Sequence, residues 1–401
     1  MAAVPPARLE PAARAGDRPL DRRLRIAILG TRGVPATFGG VERHVEEVGA
    51  RLAARGHDVT VFCRSNYGTE RPRRYRGMRL RWLPSVSSQT LDASVHSMLA
   101  AVTALGGRFD ITHYHNAGPA MAAPVTRALS RARVVVTLHS VNSDHEKWGR
   151  VGRVVLSRAE RMSVHLPDET VVVSDAWRRL LEQRYGRPTT VIGNGVEAPR
   201  LLPPGPALAE LGLEPERYVL FVGRLSPEKG PDVLLDAYRD VAGDRPLVFV
   251  GGSSFNDEYV TELRHRATAD PRIVFAGFRA GDDLDELYAN AGLVVVPSRS
   301  EGQPLVVLEA LARGVPIVAT AIPGIAEIVT DTGAAVDLVP TDDAAALAAA
   351  IRSKLTAASA APRRDEPVAA IMDRYSWDAV VDGLESVYAR ALADPRPGQS
   401  G

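Results

Sequence analysis

The sequence predicts an α/β protein of two doubly wound domains facing a central cleft. Short β-rich apolar runs alternate with helical stretches almost throughout, the pattern of helices layered on parallel sheets. The runs fall into two series on either side of a Pro- and Leu-rich stretch near Leu201 and Pro206. A chain of 401 residues is also too long for one ordinary core.

In the first series, strands are expected at 24–30, 58–63, 78–83, 110–113, 133–139, 169–174 and 189–192. Val41, Val45, Val48 and Leu52 recur at helical spacing, and Gly56 closes that helix. The second series comprises 218–223, 247–251, 272–276, 293–296 and 316–319. Each set is long enough for its own core, so both halves read as Rossmann-like. The expected organisation is a disordered lead-in over 1–23, a first domain over 24–195 and a linker over 196–216. A second domain over 217–375 and a last helix over 376–394 follow. That helix carries Trp377 and Tyr388, which need a surface to pack on, expected on the first domain. The tail from 395 reads as disordered.

Lys+Arg 49 against Asp+Glu 48 nearly cancel, so the molecule as a whole is not a polyanion binder and any basic site is local. Nucleic acid is not expected as a partner. Cys63 is the only cysteine, which excludes an internal disulfide, fits a reducing compartment and suits strand packing. No apolar run approaches the roughly 18 residues that cross a bilayer, and the first 23 residues lack a signal-peptide core. A cytoplasmic protein is expected.

Open α/β sheets bind ligands at the carboxyl ends of their strands. Three segments carry chemistry there. Gly30-Thr31-Arg32-Gly33, followed by Phe38-Gly39-Gly40 at a helix start, lets backbone N–H groups approach an anion. Its spacing is not that of a dinucleotide fingerprint, which argues against a dehydrogenase. Gly223-Arg224-Leu225-Ser226-Pro227-Glu228-Lys229-Gly230 sets a planar cation and a point cation at a strand end, suited to a diphosphate. Ser300-Glu301-Gly302-Gln303-Pro304-Leu305 continues to Glu309. With Pro304 in the first helical turn, Glu301 lies just before the helix and Glu309 inside it. Carboxylates accept hydrogen bonds in pairs and hold vicinal hydroxyls.

These elements, in this order, resemble the retaining GT-B glycosyltransferases of family 4 (glycosyl transferases group 1) over about residues 24–390. The family signature of two glutamates separated by seven residues is intact at Glu301 and Glu309. The resemblance implies that Glu309 holds the donor ribose and Glu301 the donor sugar. It implies that Arg224 and Lys229 bind the diphosphate while Gly39 and Gly40 close on it from the other domain. Gly302, Gln303 and Leu305 would join the donor contacts, and His139 would stand near the transferred sugar. The donor is then a nucleotide-diphosphate sugar, with no cofactor and no metal. The family usually reads Glu-Gly-Phe-Gly at the first glutamate, whereas here it is Glu301-Gly302-Gln303-Pro304. Proline lacks an N–H, so one backbone donor is missing and the donor sugar is not carried over. Gly30-Thr31-Arg32-Gly33-Val34-Pro35, with Gly39-Gly40-Val41-Glu42 and Lys147-Trp148-Gly149, resembles a bacterial subgroup tied to rhamnosyl transfer onto surface glycans.

His113 and His115 share a strand face at a spacing that can ligate a metal, but a third ligand is not apparent in the sequence. Arg71, Arg73, Arg74, Arg76, Arg79 and Arg81 read first as a solvated loop and second as a contact for anionic lipid. Arg150, Arg153, Arg158 and Arg161 share one side of a helix. The expected activity is glycosyl transfer to a glycan, lipid-linked or small-molecule acceptor, with peripheral contact at the inner membrane face. A nucleotide-sugar epimerase and a non-catalytic nucleotide-sugar-binding partner are the rival readings.

Overall fold

Runs such as Leu293–Val296 are apolar on both faces, so a sheet built from them must be covered on both sides. The computed structural model describes residues 22–37, 39–85, 92–140, 150–252, 257–358 and 366–393 and meets this need with two sheets. The first contains β1 (Arg25–Leu29), β2 (Asp58–Arg64), β3 (Arg74–Tyr75), β4 (Met78–Leu83), β5 (Ile111–His115), β6 (Arg133–Leu138), β7 (Glu169–Val172) and β8 (Thr190–Val191). Its order is β3-β4-β2-β1-β5-β6-β7-β8. The second contains β9 (Val219–Val222), β10 (Leu247–Val250), β11 (Ile273–Gly277), β12 (Leu293–Val296), β13 (Ile317–Thr320) and β14 (Val336–Val339). Its order is β11-β10-β9-β12-β13-β14.

Around the first sheet run α1 (Gly40–Ala54), α2 (Asp92–Leu105), α3 (Ala117–Ala120), α4 (Ala123–Leu129), α5 (Arg150–His165) and α6 (Asp175–Tyr185). Around the second run α7 (Pro206–Leu211), α8 (Pro231–Arg239), α9 (Asp257–Ala267), α10 (Asp282–Ala289), α11 (Leu305–Ala312), α12 (Pro323–Thr332), α13 (Ala344–Ala358) and α14 (Glu366–Tyr375). The last helix, α15 (Trp377–Ala393), packs on α1, β6 and β7 of the first sheet. It sends Trp377, Val381, Leu384 and Tyr388 into the core that holds Ile26, Val45 and Val61.

The chain passes between the domains twice, and the two passages touch. Val196 donates its N–H to the Tyr375 carbonyl at 2.6 Å and bridges to Ser376. A β-carbon on Gly195 would lie 2.4 Å from a ring carbon of Trp377, so only glycine lets the passages approach this closely.

Several local expectations are corrected. The pairing is parallel except between β3 and β4, an antiparallel pair around Arg76 and Gly77. Of the arginine run, Arg74 joins a strand that was not expected, beside Arg79 and Arg81 in the expected strand 78–83. On β4, Met78 and Leu80 point inward while Arg79 and Arg81 alternate outward. The short strands β3 and β14 were not expected, and α7 falls within the stretch expected to be linker.

Both sheets reverse their winding at one place. In the first, β2 and β5 lie on opposite sides of β1; in the second, β10 and β12 flank β9. Such switch points open a crevice beyond the strand ends. The crevice residues are those of the loops after β1 and β5, and after β9 and β12.

Candidate active site

Beyond β9 the chain turns through Arg224 into a short 3-10 turn, Pro227–Lys229, that ends at Gly230 with φ 66°. A β-carbon on Gly230 would lie 2.2 Å from the Pro297 carbonyl, so this loop rests directly on the end of β12. Arg299 ties the two loops together. Its backbone N–H donates to the Glu228 carbonyl at 2.9 Å, and its guanidinium donates to both Asp232 oxygens at 3.0 and 2.8 Å and to the Pro227 carbonyl. The clamp brings Lys229 against Glu301, where the ammonium donates to Glu301 Oε1. The Ser298 hydroxyl donates to the same oxygen at 2.9 Å. Glu301 Oε2 has no partner among the described residues.

Glu309 lies one turn into α11. The Tyr288 hydroxyl donates to its Oε2 at 2.9 Å, while Arg313 holds its carbonyl at 3.0 Å and Asp285 at 2.5 Å. Burial pushes the Glu309 carboxyl above its ordinary value. Pro304 is the N-cap residue, with extended backbone at ψ 119°, rather than a residue of the first turn. Helix α1 begins at Gly40 and α11 at Leu305, and a β-carbon on Gly40 would meet Leu305 Cδ1 at 3.8 Å. Two helix starts therefore face each other across the gap, each with unpaired N–H groups and a partial positive charge.

On the first domain's side, Gly39, Gly40, Arg32, Arg64, Asn116 and Ser140 line a cavity of about 430 Å³. Arg224 reaches it from the second domain. Burial, with Arg64 and Arg224 nearby, draws Arg32 below its ordinary value. His139 follows β6, and a β-carbon on Gly302 would lie 2.1 Å from its carbonyl oxygen. The backbone of His139 thus touches the loop that carries Glu301.

Gln303 departs from the expectation that it faces the donor. It is buried and its side-chain carbonyl accepts the Asn194 N–H at 2.5 Å, while the Asn194 amide donates to the Gln303 carbonyl at 2.8 Å. The side chain serves the passage between domains. Glu327 spans the same divide, its two oxygens accepting the N–H groups of Asp175 and Ala176 at 2.8 and 3.2 Å at the start of α6.

Four imidazoles pack together at the strand ends. His113 stacks on His115 with ring centres 4.4 Å apart, and His115 stacks on His139 at 5.3 Å. His44, from α1, meets His139 edge-on at 4.6 Å. Ring nitrogens of His44, His115 and His139 lie within 4.8 Å of one another, a set the sequence reading missed because it paired His113 with His115. His115 Nδ1 is bonded to His139 Nε2 at 2.9 Å, and His44 Nδ1 to Asn194 Oδ1 at 3.0 Å. These are two separate hydrogen bonds, and each of the three rings keeps one nitrogen with no partner among the described residues. Burial, reinforced in three of the rings by neighbouring imidazoles, lowers His44 to about 4 and His113 to about 3, with His115 and His139 also well below their usual value. All four are neutral near pH 7. Cys63 is buried, and burial pushes its thiol up to about 12.

Phe38 and Lys147-Trp148-Gly149, named from the sequence, lie outside the described residues. No helix among the described residues is long and apolar enough to cross a membrane.

Residues 38–200 match the family described as Glycosyltransferase Family 4, and residues 216–357 match Glycosyl transferases group 1. A D-inositol 3-phosphate glycosyltransferase of Acidothermus cellulolyticus is 32% identical, over 89% of this chain and 87% of that protein. A glycogen synthase of Mycobacterium tuberculosis is 29% identical, over 94% and 97%. The solved sucrose-phosphate synthase from Thermosynechococcus elongatus matches with a TM-score of 0.79 at 22% identity, covering 92% of this chain and 100% of that one. Anabaena HepE, in complex with UDP and glucose, matches at 0.75 and 21% identity with the same coverage. Two facing doubly wound domains of this kind are the GT-B fold, and the molecule is a glycosyltransferase. The chain belongs to glycosyltransferase family 4.

Proposed function

We propose that the protein is a retaining glycosyltransferase that moves a sugar from a nucleoside-diphosphate sugar to an acceptor hydroxyl, in the assembly of a cell-surface glycan or glycoconjugate. One observation carries this reading. The starts of α1 and α11 approach at Gly40 and Leu305, Lys229 is paired with Glu301, and the backbone of His139 touches the Gly302 loop.

The diphosphate lies between Arg224, Lys229 and the starts of α1 and α11. The ribose takes Glu309 through Oε1, which has no partner among the described residues, and the sugar takes Glu301 Oε2 and His139. Lys229 is paired with Glu301, so the diphosphate shares an ammonium that a carboxylate already holds in place. As the sugar leaves, charge builds on the diphosphate, and cations fixed beforehand stabilise it by about 3 kcal/mol per contact. The acceptor attacks on the face from which the diphosphate departs, and the reaction runs without a metal. UDP and UDP-glucose complexes of HepE support a nucleotide-sugar donor. The rhamnosyl-type resemblance of the Gly30-Thr31-Arg32-Gly33 segment points to a bacterial surface glycan as the product.

The reaction is placed in the cytoplasm, with the first domain resting on the inner membrane face. Helix α2 exposes Val95, Met98, Leu99 and Val102, an apolar stripe at helical spacing, and α5 nearby exposes Val154, Arg158 and Arg161. In the arginine run, Arg76 is held by Glu47 at 2.8 Å and Arg79 by Asp58 at 2.8 Å, which leaves Arg71, Arg73, Arg74 and Arg81 as the exposed contributors. Flotation with anionic but not neutral vesicles is expected; equal behaviour with both would remove the membrane from the account.

A thermal-shift screen of nucleotide sugars identifies the donor, because a ligand stabilises the state that binds it. With that donor, Lys229→Met and Arg224→Met should each lower kcat about a hundredfold. Near-normal turnover in both variants would contradict the reading, and turnover of the nucleotide sugar without an acceptor would favour an epimerase.

A further inference from the structure

The two hydrogen bonds of the histidine cluster each have a direction, and hydrogen-bond accounting sets it. The Asn194 amide nitrogen donates to the Gln303 carbonyl at 2.8 Å, so the Asn194 oxygen is the group that faces His44. His44 Nδ1 must then carry the proton, which leaves His44 Nε2 bare. His115 Nε2 is buried with no hydrogen-bond partner. A proton there would be an orphaned donor, which native interiors avoid more strictly than an unused acceptor. The proton of His115 therefore sits on Nδ1, the atom 2.9 Å from His139 Nε2.

We propose that His115 is a positioning residue for glycosyl transfer: by donating Nδ1–H to His139 Nε2 it holds the proton of His139 on Nδ1, so that His139 presents an N–H to a hydroxyl oxygen of the transferred sugar. This rests on the assignment of His139 to the sugar made above. The geometry around the pair is rigid. The backbone N–H of His139 donates to Asn116 Oδ1 at 3.0 Å, and His44 packs edge-on against the ring. Beneath His115, His113 is fixed at Nδ1 by the Tyr388 hydroxyl at 2.8 Å and at Nε2 by the Thr137 hydroxyl at 2.7 Å. His139 Nδ1 has no partner among the described residues. With one nitrogen held by His115 and the other protonated, His139 cannot accept the proton of the attacking hydroxyl. Its role is to orient the sugar.

Nitrogen-15 NMR of the histidine-labelled full chain reads the tautomer directly. Wild type should show His139 protonated on Nδ1. His115→Phe keeps the stacked ring but removes the donor, so the Nδ1–H form should be lost and kcat should fall at least tenfold with the donor KM within twofold. His115→Asn places an amide N–H near the position of Nδ1 and should recover both the tautomer and most of kcat. Protonation of His139 on Nε2 in wild type would overturn the proposal. So would equal losses in His115→Phe and His115→Asn, the outcome of a merely structural role. Full turnover in His139→Ala would overturn the sugar assignment beneath it, and an unchanged wild-type spectrum tells that failure apart from failure of the His115 bond.

Discussion

His113 gives the histidine cluster a measurable energetic signature. Its ring meets Tyr388, Thr137 and His115 and no carboxylate among the described residues, so its neutral form is favoured by burial and, second, by nearby His44. Its folded value, about 3, lies far below its ordinary 6.5. The unfolded ring therefore takes up a proton as pH falls through 6.5 while the folded ring does not, and stability present above that pH is lost below it. Between pH about 7.5 and about 5.5 this amounts to about 1.4 kcal/mol for the single ring. His44, His115 and His139 add with the same sign. Glu309, Glu327 and Asp331 oppose them, because burial raises their folded values and they bind protons first in the folded state. The difference between wild type and His113→Asn cancels Glu309, Glu327 and Asp331, while asparagine keeps a partner for Tyr388. Trp82 and Trp177 lie in the first domain and Trp377 packs on it, so fluorescence-monitored urea unfolding reports the relevant region. The pH-dependent loss in His113→Asn should be smaller than in wild type by about 1.4 kcal/mol. Identical pH slopes would refute the claim that His113 is held neutral.

Two further substitutions probe other joints of the structure. Trp377 is 2% exposed and seals α15 onto the first domain; Trp377→Ala should cost about 3–5 kcal/mol, read as a fall in Tm, and an unchanged Tm would show that the helix is not part of that core. Glu309→Gln keeps a partner for Tyr288 but removes the charge, and should raise the donor KM about tenfold to a hundredfold at unchanged Tm. An unaltered KM would detach Glu309 from the ribose.

The two-sheet plan was legible because strands buried on both faces have no polar alternation to hide them: Leu293–Val296 could be read to the residue. Strand β3 has only two residues, Arg74 and Tyr75, and β14 carries Asp337, so neither produces an apolar run. The loops after β9 and β12 stood out in the sequence because glycine, proline and charge cluster there at strand ends. His44 was not. It lies among the helical residues of α1, and only the strand order, which sets β1 beside β5, brings it against His115 and His139. Gln303 was misread for a related reason: its neighbour in sequence, Glu301, faces the gap, but its partner Asn194 lies 109 residues away. Arg299 was passed over because its work is to hold the Glu228 and Pro227 carbonyls, a contact that no sequence spacing advertises.

A crystal structure with the donor nucleoside diphosphate tests the account most directly. The diphosphate should lie between Lys229 and the facing starts of α1 and α11, with the ribose on Glu309 and Lys229 still within reach of Glu301. A nucleotide bound elsewhere, with the Lys229–Glu301 pair undisturbed and the gap empty, would contradict it.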